Sequence, residues 1–212
     1  MEFLMQRLKV YKEKNPNELT EEQFTKIAKE IKAPKKGKTI SDEYFDFLLW
    51  MHGLESRQES FAKYVYKRLT RKNAKKILEV GCGRTYRLSR MLQKKGFEMT
   101  CIDPKVELPT EESEIIVKKE MFDYNYDLSE YDFIIAQEPC DATEHIVRAC
   151  IEQKKPFIIT LCGVPHKLIS GEEMENVEDW YEYLINISKD EEIKLRYISI
   201  DPLLRIHILL KN

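Results

Sequence analysis

The period of the apolar residues changes near Lys75. Before it they recur three and four apart: Phe24, Ile27 and Ile31, then Tyr44, Phe45, Leu48 and Leu49, then Phe61, Tyr64 and Val65. Each set is the apolar stripe of an amphipathic helix. Thr20 with Gln23, and Ser56 with Glu59, have the spacing of a capping box, in which two side chains reciprocally satisfy orphan backbone donors. Pro34 stops the first stripe, Gly53 stands where a helix ends, and residues 33–39 read as a loop. Residues 1–74 are expected to form a helical appendage packed on the remainder, because apolar stripes need a surface to bury against.

Beyond Lys75, short apolar runs alternate with helical patterns, the signature of a mainly parallel sheet covered by helices. Strands are expected at residues 76–80, 97–102, 114–119, 133–136 and 157–161. Helices are expected at 85–95, with Leu88, Met91 and Leu92 on one face, and at 172–188, with Val177, Trp180, Tyr181 and Leu184 inward. Asp141 and Glu144 have capping-box spacing at the start of another helix, whose inner face is Ile146, Val147, Cys150 and Ile151. Residues 194–200 and 205–210, joined at Asp201-Pro202, are too close to be parallel neighbours and read as an antiparallel hairpin. Residues 75–212 are therefore expected to be one doubly wound α/β domain.

Composition narrows the function classes. No apolar run reaches the roughly 20 residues of a membrane span, and the first residues, MEFLMQRLKVYKEK, mix charged with apolar positions instead of forming a signal-peptide core. A cytoplasmic protein is expected. Five cysteines, Cys82, Cys101, Cys140, Cys150 and Cys162, and four histidines show neither the paired spacing of a structural zinc site nor a disulfide framework, so no metal is expected. Residues 1–75 hold 17 Lys and Arg against 11 Asp and Glu, while the rest hold 18 against 26. A basic front on an acidic body is able to meet phosphates, although a solvated helical surface has the same composition.

The chemistry is concentrated where strand 76–80 ends. Glu79-Val80-Gly81-Cys82-Gly83 places two of the chain's 7 glycines at a strand end, directly before a helix. Glycine allows a ligand to approach the backbone, and a helix amino terminus presents free N–H groups. Asp103, about 20 residues on at the next strand tip, stands where a carboxylate accepts hydrogen bonds from a ribose diol. This is a nucleoside-binding architecture. The dinucleotide fingerprint would need glycine at position 86, where Tyr86 stands, and Glu79 would repel phosphates while suiting an amino group.

At these residues the chain resembles the class I S-adenosylmethionine-dependent methyltransferases, with Glu79 to Gly83 as the first motif and Asp103 as the ribose-binding acid. The resemblance covers roughly residues 75–212 and includes the terminal antiparallel hairpin, which separates this Rossmann-like fold from nicotinamide-binding relatives. It implies that Gly81, Cys82 and Gly83 line the methionine part of S-adenosylmethionine, and that Glu79 orders the loop or meets the amino group. It further implies that Glu120 contacts the adenine amine with Met121 against the ring, and that Gln137 lies near the transferred methyl. Three departures accompany it: Arg84-Thr85-Tyr86 replaces the third glycine, Pro104 and Pro109 leave no room for the usual helix between Asp103 and Glu114, and Gln137-Glu138-Pro139-Cys140-Asp141 stands where the amino-nucleobase subgroup has Asn-Pro-Pro-Tyr.

Glu138, beside Pro139, and His166, after the fifth strand, are the candidate acid or base residues, on two neighbouring strand tips. Cys82 reads as a small residue in a tight loop, Asp141 as a helix cap, Trp180 as packing, and His52, His145 and His207 as structural. The expected activity is methyl transfer to a small molecule or RNA, with the basic appendage covering the cofactor and shaping the acceptor site. The rival is a non-catalytic regulatory module that keeps the nucleoside pocket, because fold does not establish function.

Overall fold

The computed structural model of the chain describes residues 1–34, 42–54, 57–165, 168–187, 193–199 and 205–212. Its elements in order are α1 Glu2–Lys14, α2 Glu21–Lys32, α3 Asp42–Met51, α4 Arg57–Arg71, β1 Lys76–Val80, α5 Arg87–Gln93, β2 Glu98–Ile102, β3 Ile116–Lys118, β4 Phe133–Gln137, α6 Ala142–Glu152, β5 Phe157–Thr160, α7 Val177–Asn186, β6 Ile193–Ser199 and β7 Arg205–Lys211. Ser56, the Asp201-Pro202 turn and His166 lie outside the described residues.

The chain divides into two units, one built on Met1–Ser60 and the other on Phe61–Ile198 with Ile206–Asn212. In the first, Leu8, Leu19, Ile27, Ile31, Phe45 and Leu48 are fully buried together, so the stripes of α1, α2 and α3 supply their own core. The Thr20–Gln23 capping box forms, and Gln23 Nε2 also donates to the His52 carbonyl at 3.0 Å. Gly53 has φ +71°, and the Leu54 N–H returns to the Leu49 carbonyl at 2.8 Å, which closes α3 with a left-handed cap.

In the second unit seven strands form one sheet in the order β3-β2-β1-β4-β5-β7-β6. The pairs β3-β2, β2-β1, β1-β4 and β4-β5 are parallel, whereas β7 lies antiparallel to β5. Successive residues of a strand face opposite sides, and here both sides are covered. Ile77, Ile135, Ile158 and Ile208 pack with Phe61, Val65 and Leu69 of α4 and Leu88 and Leu92 of α5. Leu78, Ile134, Ile159 and Leu209 pack with Ile146, Val147 and Cys150 of α6 and Trp180 and Leu184 of α7. Burial on both faces is why β1, β4 and β5 read as continuous apolar runs. The strand order reverses direction between β1 and β4, so a crevice is expected outside their carboxyl ends.

Some boundaries differ from the sequence expectation. Helix α5 starts at Arg87 rather than at residue 85, because Tyr86 is left-handed at φ +38° and ends the preceding turn. Helix α7 starts at Val177, where the Asn176 side chain accepts from the Asp179 N–H at 2.9 Å. The Asp141–Glu144 capping box does not form: Asp141 makes no cap hydrogen bond, and Glu144 is buried. Its Oε1 accepts from Arg148 Nε at 2.9 Å and Tyr183 Oη at 2.7 Å, and Oε2 accepts from the Ile169 N–H at 2.7 Å. Glu144 faces inward because those three donors outbid the single backbone donor it would satisfy at the helix end.

Candidate functional site

The parallel register places the ends of β1 and β2 side by side, with Val80 opposite Ile102. The chain then turns through Gly81 at φ +72° and Gly83 at φ +66°, a region that side chains disfavour. The loop is stitched to the neighbouring tip. Gly81 donates to the Ile102 carbonyl at 2.9 Å, and the Gly83 N–H donates to Asp103 Oδ2 at 3.0 Å. The two glycines have different reasons to lack a side chain. A Cβ at Gly81 would stand 3.0 Å from Pro139 Cβ, whereas a Cβ at Gly83 would meet nothing within 4 Å. Gly81 admits the turn after β4, and Gly83 leaves open space above the loop.

Glu79 points into the protein and is only 2% exposed. Its Oε2 accepts from the Ser89 N–H at 2.8 Å and from the Ser89 hydroxyl, which ties β1 to the first turns of α5. Burial pushes its carboxyl up to about 7, against the lowering effect of the Ser89 hydrogen bonds and with a further push from Asp103. Cys82 is buried too; its contact with the Cys101 thiol, followed by burial, raises its thiol well above the ordinary range, which disfavours a nucleophilic thiolate.

Asp103 is partly exposed at the β2 tip. While Oδ2 holds Gly83, Oδ1 accepts from the Lys105 N–H at 2.7 Å, so the carboxylate is fixed in direction and each oxygen keeps lone-pair capacity. Its own N–H donates to the Lys118 carbonyl at 3.2 Å, joining the β2 and β3 tips. Glu120 is exposed two residues beyond β3, and Met121 beside it is 71% exposed.

Gln137 ends β4, directly opposite Thr160 of β5. Its Oε1 is shielded from solvent and has no hydrogen-bond partner among the described residues, an orphan acceptor of the kind that a ligand donor satisfies. The following turn is held in an unusual backbone shape, with Glu138 at φ +51° and Cys140 at φ +49°. Non-glycine residues there cost of order 1–3 kcal/mol each and persist only where the surroundings enforce them. The enforcement is visible: the Glu138 N–H donates to Thr160 O at 3.1 Å and Oγ1 at 2.9 Å, and Pro139 is buried against Gly81.

Glu79, Gly81, Cys82, Gly83, Asp103, Glu120, Met121, Gln137 and Glu138 thus share the carboxyl edge of the parallel strands. A cavity of about 380 Å³ lies to one side, between Arg84, Tyr86 and Arg90 and the 107–113 stretch that stands in place of a helix. Among the described residues no group of three His, Cys, Asp or Glu is arranged to hold a metal, and no helix is long and apolar enough to cross a membrane. Ser89 and Pro139 were not legible as site residues. Ser89 reads as one more polar helix position, and Pro139 meets Gly81 across a long sequence separation.

A doubly wound parallel sheet completed by two terminal strands, with β7 antiparallel to β5 and β6 beside β7, agrees with the terminal hairpin that the resemblance implies. The described strands form a mixed, Rossmann-like α/β sheet. No protein-family description matches the chain, and neither does any curated protein. Solved structures to which it is similar include the methyltransferase domain of bacterial CtHen1, at 17% identity and TM-score 0.48 over 72% of this chain and 97% of that one. Human N-acetylserotonin methyltransferase in complex with SAM gives 14% identity and TM-score 0.49 over 91% of this chain and 59% of that one. The plantazolicin methyltransferase BpumL, with a desmethyl analogue and SAH, gives 13% identity and TM-score 0.46 over 98% of each chain.

Proposed function

We propose that the chain is a cytoplasmic enzyme that binds S-adenosylmethionine at the carboxyl edge of β1, β2 and β4 and transfers its methyl group to an acceptor. The observation that carries this reading is the Gly83–Asp103 hydrogen bond at two adjacent strand tips, with open space over Gly83. The edge fits a nucleoside with a charged amino-acid tail. Asp103 keeps lone pairs for a ribose diol, the orphan Gln137 Oε1 accepts from a donor such as an amine, and carboxylates at Glu120 and Glu138 suit a cationic ligand better than a pyrophosphate. When bound, S-adenosylmethionine supplies an electrophilic methyl group on a cationic sulfur. Gly81 and Cys82 shape the backbone beneath it, Glu79 fixes that backbone through Ser89, and Glu120 with Met121 takes the adenine end.

Transfer of this kind depends on holding donor and acceptor at near-attack distance, and a base is needed only for an acceptor that must lose a proton. Glu138 is the base in this reading, held on a rigid turn beside Gln137; His166 is the second candidate. The acceptor is a small molecule or RNA, and the excess of Lys and Arg in the first 75 residues favours an anionic one. The test is single-turnover transfer from methyl-labelled cofactor into fractions of a cell extract. The parent should label one fraction, and Glu138→Ala should slow that step by about 10²- to 10⁴-fold. Retained cofactor binding with no transfer into any fraction would instead identify the regulatory module.

A further inference from the structure

Two cysteines stand on the strand tips beside this edge. Gln137 of β4 pairs with Thr160 of β5, Cys140 follows three residues after the first and Cys162 two residues after the second. The Glu138 N–H, bonded to both Thr160 oxygens, ties the two tips together. Cys140 is exposed, with its Sγ 3.4 Å from the Glu138 carbonyl, and Cys162 is half-buried on the neighbouring tip, near enough for Cys140 to influence its ionisation. We infer that Cys140 and Cys162 form a peroxide-sensitive dithiol, whose closure to a disulfide staples the turn after β4 to the loop after β5.

Exposure divides the labour between the two sulfurs. Burial and the neighbouring Cys140 push the Cys162 thiol up to about 12, so it stays protonated, while Cys140 faces the solvent from which oxidant arrives. The Cys140 thiolate attacks hydrogen peroxide; the S–O bond forms, the O–O bond breaks and hydroxide leaves, giving a sulfenic acid. The Cys162 sulfur then attacks the Cys140 sulfur; the S–S bond forms, the S–O bond breaks, and water leaves with the Cys162 proton. Two electrons pass from the two thiols to one peroxide. Cys82 and Cys101 are also neighbours, but at 9% and 0% exposure they are shielded from peroxide, as is Cys150 at 0%. The staple bears on the glycine loop, because Pro139, one residue before Cys140, packs against Gly81.

The experiment is stoichiometric hydrogen peroxide on the reduced full-length chain, alkylation of remaining thiols, and mass mapping of the peptides. The expected product has lost the mass of two hydrogens, yields one cross-linked peptide pair joining Cys140 to Cys162, and returns to the starting mass with dithiothreitol. Cys162→Ser should trap Cys140 as a dimedone-reactive sulfenic acid, and Cys140→Ser should abolish both products. Phenylarsine oxide, which bridges two adjacent thiols with loss of water, should add once to the parent and to neither serine variant. A cross-link between Cys82 and Cys101, or over-oxidised Cys140 beside an alkylated Cys162 in the parent, would overturn the inference. This readout is independent of any cofactor, so it succeeds or fails apart from the methyltransferase reading.

Discussion

Glu79 and Glu144 are both buried to 2% exposure, on opposite faces of the second unit's sheet, yet they are compensated differently. Glu144 sits against the Arg148 guanidinium and also accepts from Tyr183 and Ile169, so α6, α7 and the intervening loop converge on one paired charge. Among the described residues Glu79 has the two Ser89 donors, and the charge that acts on it is another acid, Asp103. A buried carboxylate without a cation carries an unrelieved desolvation cost. The paired glutamate holds helices together; the unpaired one orders the β1–α5 loop, beside the edge where a cationic ligand would relieve it.

Breaking each carboxylate sharpens the contrast, and the largest effect is expected at Glu144. Glu144→Ala leaves a guanidinium, a phenol and an amide N–H without their common acceptor. Because Arg148 is 35% exposed, the loss should fall near the lower end of the range for a broken buried pair, about 3 kcal/mol. Urea unfolding of parent and variant measures it, and a change within about 0.5 kcal/mol would place Glu144 among ordinary surface residues.

Glu79 should report itself through pH. Its folded value lies near 7 against the ordinary 4.5, so between those values the folded chain binds the proton that the unfolded chain has released. Its contribution therefore falls as pH rises from about 4.5 to 7, by of order 3 kcal/mol in all. Glu79→Gln keeps an oxygen for Ser89 but carries no charge. Thermal melts at pH 5 and pH 8 should show the parent losing stability relative to this variant, and parallel pH profiles would remove the unpaired-charge account.

The smallest of these effects separates two glycines with nearly equal backbone angles, Gly81 at φ +72° and Gly53 at φ +71°. Alanine at Gly53 meets open space and should cost about 1 kcal/mol of backbone strain; at Gly81 it also presses on Pro139 and should cost about 1–2 kcal/mol more. Equal costs in parallel denaturant titrations would show that the turn after β4 yields freely.

What the sequence made legible follows from the range of the interactions involved. Strand β1 was readable to the residue because both its faces are buried, and the glycine loop and Asp103 were readable because strand, turn and next strand tip are near in sequence. The Thr20–Gln23 box was a local signal and formed; Asp141 and Glu144 carried the same spacing and did not, because Arg148, Tyr183 and Ile169 draw Glu144 inward and only folding assembles them. The Pro139–Gly81 contact and the Cys140–Cys162 pair were invisible for the same reason. Both arise from strand order, which sets β4 between β1 and β5.

The most direct test of the central claim is calorimetric titration of the full-length chain with S-adenosylhomocysteine and NAD, repeated on Asp103→Ala after its fold is checked by circular dichroism. The account predicts one site for S-adenosylhomocysteine, no binding of NAD, and affinity weakened by about 1.5–3 kcal/mol in the variant, the scale of lost charge-assisted hydrogen bonds. Unchanged affinity in a folded Asp103→Ala, or a parent that binds NAD and not S-adenosylhomocysteine, would contradict it.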